Sequence, residues 1–211
     1  MTVTISRLYD SYDAASRAVR DLEAAGLAHA NISLVSSNAD NWYSADSKKG
    51  KRTRVDRDRD GVDDRAEGAG AGAGIGAAVG GTAGLLAGLG IMAIPGIGPV
   101  VAAGWLVATA VGALAGGTAG GIIGALTQAG HSKDDAEVYA EGVRRGGTLL
   151  SARVPDNERA RYEAILDQGA VNIRTRAEAY RESGWRGFDP NARPYDSDQV
   201  RAERERYIDR L

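Results

Sequence analysis

Hydrophobic and polar positions fall into an alternating, a helical and an unbroken apolar pattern along this chain. Residues 2–9 alternate and are rich in β-branched types, which predicts a strand with one buried face. Asp10 or Ser11 then offers an N-cap, Ala15, Ala18, Val19 and Leu22 recur at helical spacing, and Gly26 stands where that helix should stop. Residues 31–36 (NISLVS) predict a second strand. Ser132 with Asp135 forms a capping box for a helix over 133–145, and Gly146-Gly147 ends it. Residues 148–154 predict a third strand. Asp156 then caps a helix carrying Ala160, Ala164, Ile165 and Leu166, and Gly169 ends it. Residues 171–176 predict a fourth strand.

The two ends of this pattern echo each other. Residues 4–36 and 148–176 share the order strand, capped helix, glycine stop and an Asn-Ile pair (Asn31-Ile32, Asn172-Ile173) opening the next strand. Two βαβ halves predict an α+β fold, a ferredoxin-like four-stranded sheet with two packed helices. The halves are interrupted by an insertion. The expected organisation is residues 1–37 as the first half, 38–67 as a charged linker, 68–131 as a glycine-rich helical hairpin, 132–176 as the second half, and 177–211 as a tail. The tail reads as an extended segment with aromatics at Trp185, Phe188 and Tyr195, then a charged, solvated helix from Asp198.

Between Gly68 and Ser132 there is no Asp, Glu, Lys or Arg. Small residues recur every fourth position at Gly72, Gly76, Gly80, Gly84 and Gly88, and again at Gly112, Gly116, Gly120 and Gly124. On helices that period lines one ridge, where two backbones can approach closely. Pro95 and Pro99 with Gly96 and Gly98 break the stretch in two, so it predicts an antiparallel hairpin of helices with its tip at residues 94–99. Each arm is long enough to cross a hydrocarbon layer of ~30 Å. The same ridge serves a hairpin buried in a protein assembly. The membrane reading is favoured because a domain of this size rarely covers so long an apolar element. Under either reading the hairpin should be removable without loss of the α+β domain.

Charge and composition narrow the function. The formal net charge is −2, which gives no general attraction to nucleic acid. Cysteine is absent, excluding disulfides, thiolate metal sites and cysteine catalysis. The first residues lack the basic and apolar regions of a signal peptide. The expected location is therefore the cytoplasmic side of the cell membrane, or the cytoplasm as a soluble assembly.

Candidate chemistry is sparse. Asp56, Asp58, Asp60, the Val62 carbonyl, Asp64 and Glu67 fit the spacing of a calcium loop, with Gly61 at its turn. Arg57, Arg59 and Arg65 inside the loop weaken it, so Ca²⁺ is the one cofactor nominated and its affinity should be low. Gly72, Gly74 and Ala77 meet a permissive dinucleotide spacing, but no strand precedes them and no phosphate-binding lysine motif exists. His29 and His131, the two histidines, read as surface residues without metal-ligand spacing. No small-molecule substrate is nominated, and an enzyme is not expected.

The runs Thr4-Ile5-Ser6-Arg7-Leu8-Tyr9-Asp10, Leu22-Glu23-Ala24-Ala25-Gly26 and Ile32-Ser33-Leu34-Val35 resemble the N-terminal domain of the bacterial general stress protein (heat-induced stress protein) family. Residues 93–100 (AIPGIGPV) and 138–147 (VYAEGVRRGG) are similar to glycine-rich members of that group. The resemblance covers most of the chain outside the acidic linker. It implies a role in general stress response and supplies no catalytic residues. The expected function is a non-enzymatic stress-response protein that tethers or assembles through its glycine-zipper hairpin, with itself and membrane lipid as partners. The alternative is a soluble homo-oligomeric scaffold or sensor whose hairpin is buried in protein.

Overall fold

The first strand, β1 (Thr2–Tyr9), alternates as its sequence requires, with Ile5 and Tyr9 buried on one face and Leu8 on the other. A computed structural model of the protein describes residues 1–43, 90–94, 97–107, 109 and 121–208. Helix α1 (Tyr12–Ala24) begins at Ser11, whose side chain accepts the Ala14 N–H at 3.2 Å. Gly26, at φ +94°, turns the chain toward β2 (Ile32–Ser37). Next come β3 (Gly90–Ile94), β4 (Gly98–Gly104) and α2 (Gly121–Gln128). Helix α3 (Lys133–Arg144) carries the expected capping box: Ser132 Oγ accepts the Asp135 N–H at 3.1 Å and donates to the Asp135 carboxylate at 2.7 Å. Strand β5 (Thr148–Pro155) and helices α4 (Arg159–Leu166), α5 (Ile173–Glu182) and α6 (Ser197–Ile208) complete the described elements.

The class is α+β with an antiparallel sheet in the order β1-β5-β2-β4-β3. Strands β1 and β2 run the same way and β5 lies between them. The body is β1-β5-β2-β4, and the short β3 extends it beyond β4. One face packs against α1 and α4 through Ile5, Ile32, Leu34, Leu150, Val19, Leu22, Tyr162 and Leu166. The other packs against α2 and α3 through Leu8, Val35, Val100, Leu149, Leu126 and Val143. Outside α3, a smaller cluster of Val138, Ala177 and Tyr180 holds α5.

Two expected elements differ. The chain reverses between Ile94 and Gly98, with the Ile97 N–H bonded to the Ile94 carbonyl at 3.0 Å, but the reversal joins strands rather than helices. Strand β4 pairs with β2 from Ser33↔Gly104 to Ser37↔Val100. A Gly/Ala helix buries little side-chain surface, whereas here the backbone satisfies the open edge of β2 and Val100, Val101 and Leu106 become fully buried. The middle of the insertion thus supplies both a strand of the sheet and part of the core. No helix among the described residues is long and apolar enough to cross a membrane.

The second difference is the fourth strand. Val171 makes one antiparallel bridge to Leu8, and the chain then enters α5. Asn172 decides this: its side chain accepts the N–H groups of Arg174 and Thr175 at 3.1 and 3.2 Å, the geometry of an N-cap. Ile173, Ala177 and Tyr180 then lie on one helical face. The echoed Asn-Ile pair thus opens a strand at Ile32 and a helix at Ile173.

The last helix is docked rather than solvated. Asp196 caps it, Val200 is fully buried, and a Cβ on Gly146 would collide with Val200 Cγ1. Arg145 bridges Glu141 at 2.6 Å and Glu203 at 2.9 Å, with its guanidinium 4.2 Å over the Tyr180 ring. Arg204 reaches Asp40 at 2.7 Å. The buried Arg145, Glu141 and Glu203 are mutually paired and clamp α6 to the end of α3, while the half-buried Arg204–Asp40 pair ties α6 to the stretch after β2.

Candidate functional site

Across the face toward α2 and α3, cross-strand neighbours form rows whose polarity rises along the sheet. Leu8, Leu149, Val35 and Ala102 make an apolar row; Ser6, Ser151, Ser33 and Gly104 make the next; Thr4 opposite Arg153 makes the third. The serine row is satisfied internally. Ser6 and Ser151 hydroxyls lie 2.8 Å apart, Ser33 donates to the Ala103 carbonyl at 2.9 Å, and Tyr139 donates to the Ser6 carbonyl at 2.8 Å. Burial pushes the Tyr139 phenol up to about 12, so it remains a donor at neutral pH.

Beyond the third row the sheet opens into a cleft of about 550 Å³. Its walls come from the start of β1 (Thr4), the residue after β4 (Trp105), the end of α2 (Gln128), the turn before α3 (His131), β5 (Arg153) and the start of α4 (Arg159). Arg153 Cζ lies 3.7 Å from the centroid of the Trp105 ring, a stacked cation–π contact. Arg159 is paired through its Nε with Glu163 at 2.8 Å. No Asp or Glu is among the described residues that line the cleft. The lining is thus rich in donors and positively charged.

His131 corrects the surface reading of that residue. Its Nε2 lies 2.9 Å from the Ser6 hydroxyl, and its ring stands edge-on to Tyr139 at 5.9 Å. Burial lowers its pKa, with Asp135 opposing and Arg7 reinforcing the shift, so the imidazole is held neutral. The Ser6–His131 contact is not a nucleophilic pair, since Ser6 is fully buried and does not line the cleft. The Trp105 indole N–H is buried without an acceptor.

The residues singled out from sequence lie elsewhere. Asp56, Asp58, Asp60, Val62, Asp64 and Glu67 of the candidate calcium loop are outside the described residues, as are Gly72, Gly76, Gly80, Gly84, Gly88, Gly112, Gly116 and Gly120. Gly124 is on α2, and a Cβ there would meet no atom of the described residues within 4 Å apart from its own helix. Among the described residues no cluster of His, Asp or Glu could hold a metal ion. Trp105, Arg153 and Arg159 belong to no motif of the sequence and meet only through the fold. The one available signal was Trp105, the only aromatic between Gly68 and Ser132.

Fold and cleft together define an α+β domain with a donor-lined pocket at one end of its antiparallel sheet. Comparison with protein-family models, with curated proteins and with solved structures finds no match to this chain.

Proposed function

We propose that the chain is a non-enzymatic stress-response module that works as a soluble cytoplasmic sensor, assembling with copies of itself and binding a small ligand in the cleft beside Trp105. One observation carries this reading: β4, from the middle of the glycine-rich stretch, pairs with β2, and Trp105 immediately after it forms a wall of the cleft. The stretch is thereby a structural part of the domain and of its pocket, which supports the protein-buried reading over the membrane tether. The four-residue glycine spacing of the sequence, Gly72 to Gly88 and Gly112 to Gly124, is assigned to association between copies. The calcium loop at Asp56 to Glu67 is a secondary, weak input to the same assembly.

Fractionation of cells expressing the full chain tests the reading. The protein is expected in the cytosolic fraction without detergent, as one homo-oligomeric species by light scattering. Recovery only from carbonate-resistant membranes would overturn it.

A further inference from the structure

We propose that the cleft takes a small phosphate-bearing molecule, held by the guanidinium groups of Arg153 and Arg159; this names the ligand class of the sensor reading and rests on it. Arg153 lies opposite Thr4 in the sheet and projects from the same face as the buried Ser6–Ser151–Ser33 row. Its Cζ lies 3.7 Å over the centroid of the Trp105 ring, which holds the guanidinium against the cleft wall. No carboxylate engages it among the described residues, in contrast to Arg145, Arg176 and Arg204, each paired with an acid. Arg159 gives its Nε to Glu163 and retains its two terminal nitrogens.

Charge balance selects the ligand. Arg153 is a permanent cation with no acid partner among the described residues, and Arg159, whose charge Glu163 offsets, still presents terminal N–H donors, so an anion completes the site and a neutral molecule leaves Arg153 uncompensated. A phosphate monoester carries nearly two charges at neutral pH and presents several oxygens, matching planar guanidinium forks. Thr4, Gln128 and neutral His131 add hydrogen-bonding groups for the rest of such a molecule. A volume of about 550 Å³ suits a metabolite-sized ligand. The same headgroup chemistry occurs on anionic lipids, so the two sources need separate arms.

The test follows the Trp105 indole N–H signal of the ¹⁵N-labelled full chain, assigned by its loss in Trp105→Phe. Glycerol 3-phosphate, inorganic phosphate and glycerol are titrated separately. Vesicles of phosphatidylcholine with and without phosphatidic acid are tested by co-sedimentation. The expected result is saturable movement of the signal with both phosphates and none with glycerol. Arg153→Gln and Arg159→Gln should each weaken binding by about tenfold or more, with the melting temperature of the exposed Arg153 variant lowered only slightly by loss of its contact with Trp105. Sedimentation that requires both phosphatidic acid and Arg153 would support the same phosphate chemistry with a lipid as its source. Equal responses to glycerol and glycerol 3-phosphate would overturn the phosphate class while leaving a binding cleft. Phosphate binding unchanged by Arg153→Gln would overturn the assigned residues. A signal unmoved by every probe would overturn both the ligand class and the sensor reading.

Discussion

Gly104 and Gly124 belong to the same charge-free stretch and meet opposite surroundings. Gly104 has φ +98°, and a Cβ there would fall 2.6 Å from Ser33 Cα and onto the Ile32 carbonyl oxygen. Because the obstacle is backbone, Gly104→Ala should destabilise by ~2 kcal/mol or more, combining left-handed strain with displacement of β2. Gly124 sits inside α2, where a Cβ would meet no described atom outside its own helix, so Gly124→Ala should raise the stability of the lone chain by ~1 kcal/mol. Urea denaturation at low protein concentration checks both signs. A loss of stability at Gly124→Ala that appears only on association would instead mark that glycine as a contact between copies. His131 gives a pH dependence of definite sign. Its folded pKa lies below its ordinary value of 6.5. Its contribution is therefore complete above that value and is lost as pH falls through the depressed folded pKa. Denaturation midpoints between about pH 7 and pH 5 should fall for the parent chain and fall less for His131→Asn. Parallel slopes would remove His131 as the cause.

At the level of elements, α5 depends on a cap that the sequence disguises. Asn172→Ala removes the acceptor of two backbone N–H groups and should cost ~1 kcal/mol, with helical content lost rather than strand. An unchanged midpoint would contradict the assignment of Asn172 as a cap. Elements whose signal is local were legible: the alternation of residues 2–9, the Ser11 and Ser132 caps, the Gly26 and Gly146 stops, and the chain reversal between Ile94 and Gly98. What eluded the sequence was decided by distant partners. Pro99-Val100-Val101-Ala102-Ala103 has no alternation because both its faces are covered, so only the open edge of β2 makes it a strand. The fourth strand failed because an Asn before Ile suits a strand start and an N-cap equally. The cleft was illegible for the same reason, since Trp105, His131, Arg153 and Arg159 lie on separate elements and share no spacing.

For the whole molecule, the central claim is that the middle of the apolar stretch is a strand of the domain's own sheet. The layered cores depend on it: Val100, Leu106, Ile122 and Leu126 pack with Leu8, Val35 and Leu149 to bury α3. The Arg145–Glu203 bridge then anchors α6 to α3, which ties the C-terminal region to the same core. Because the chain contains no cysteine, two introduced thiols report one contact without background. Val35 and Ala102 are cross-strand partners on the face toward α2 and α3. Val35→Cys with Ala102→Cys should therefore form an intramolecular disulfide under mild oxidation. The control pair, Val35→Cys with Val101→Cys, places its thiols on opposite faces and should remain reduced. Mass spectrometry of the oxidised monomers gives the answer directly. Bridging in the register pair alone is the result the fold predicts. No bridge in a variant that keeps the parent's circular dichroism spectrum, or equal bridging in both pairs, would contradict the strand.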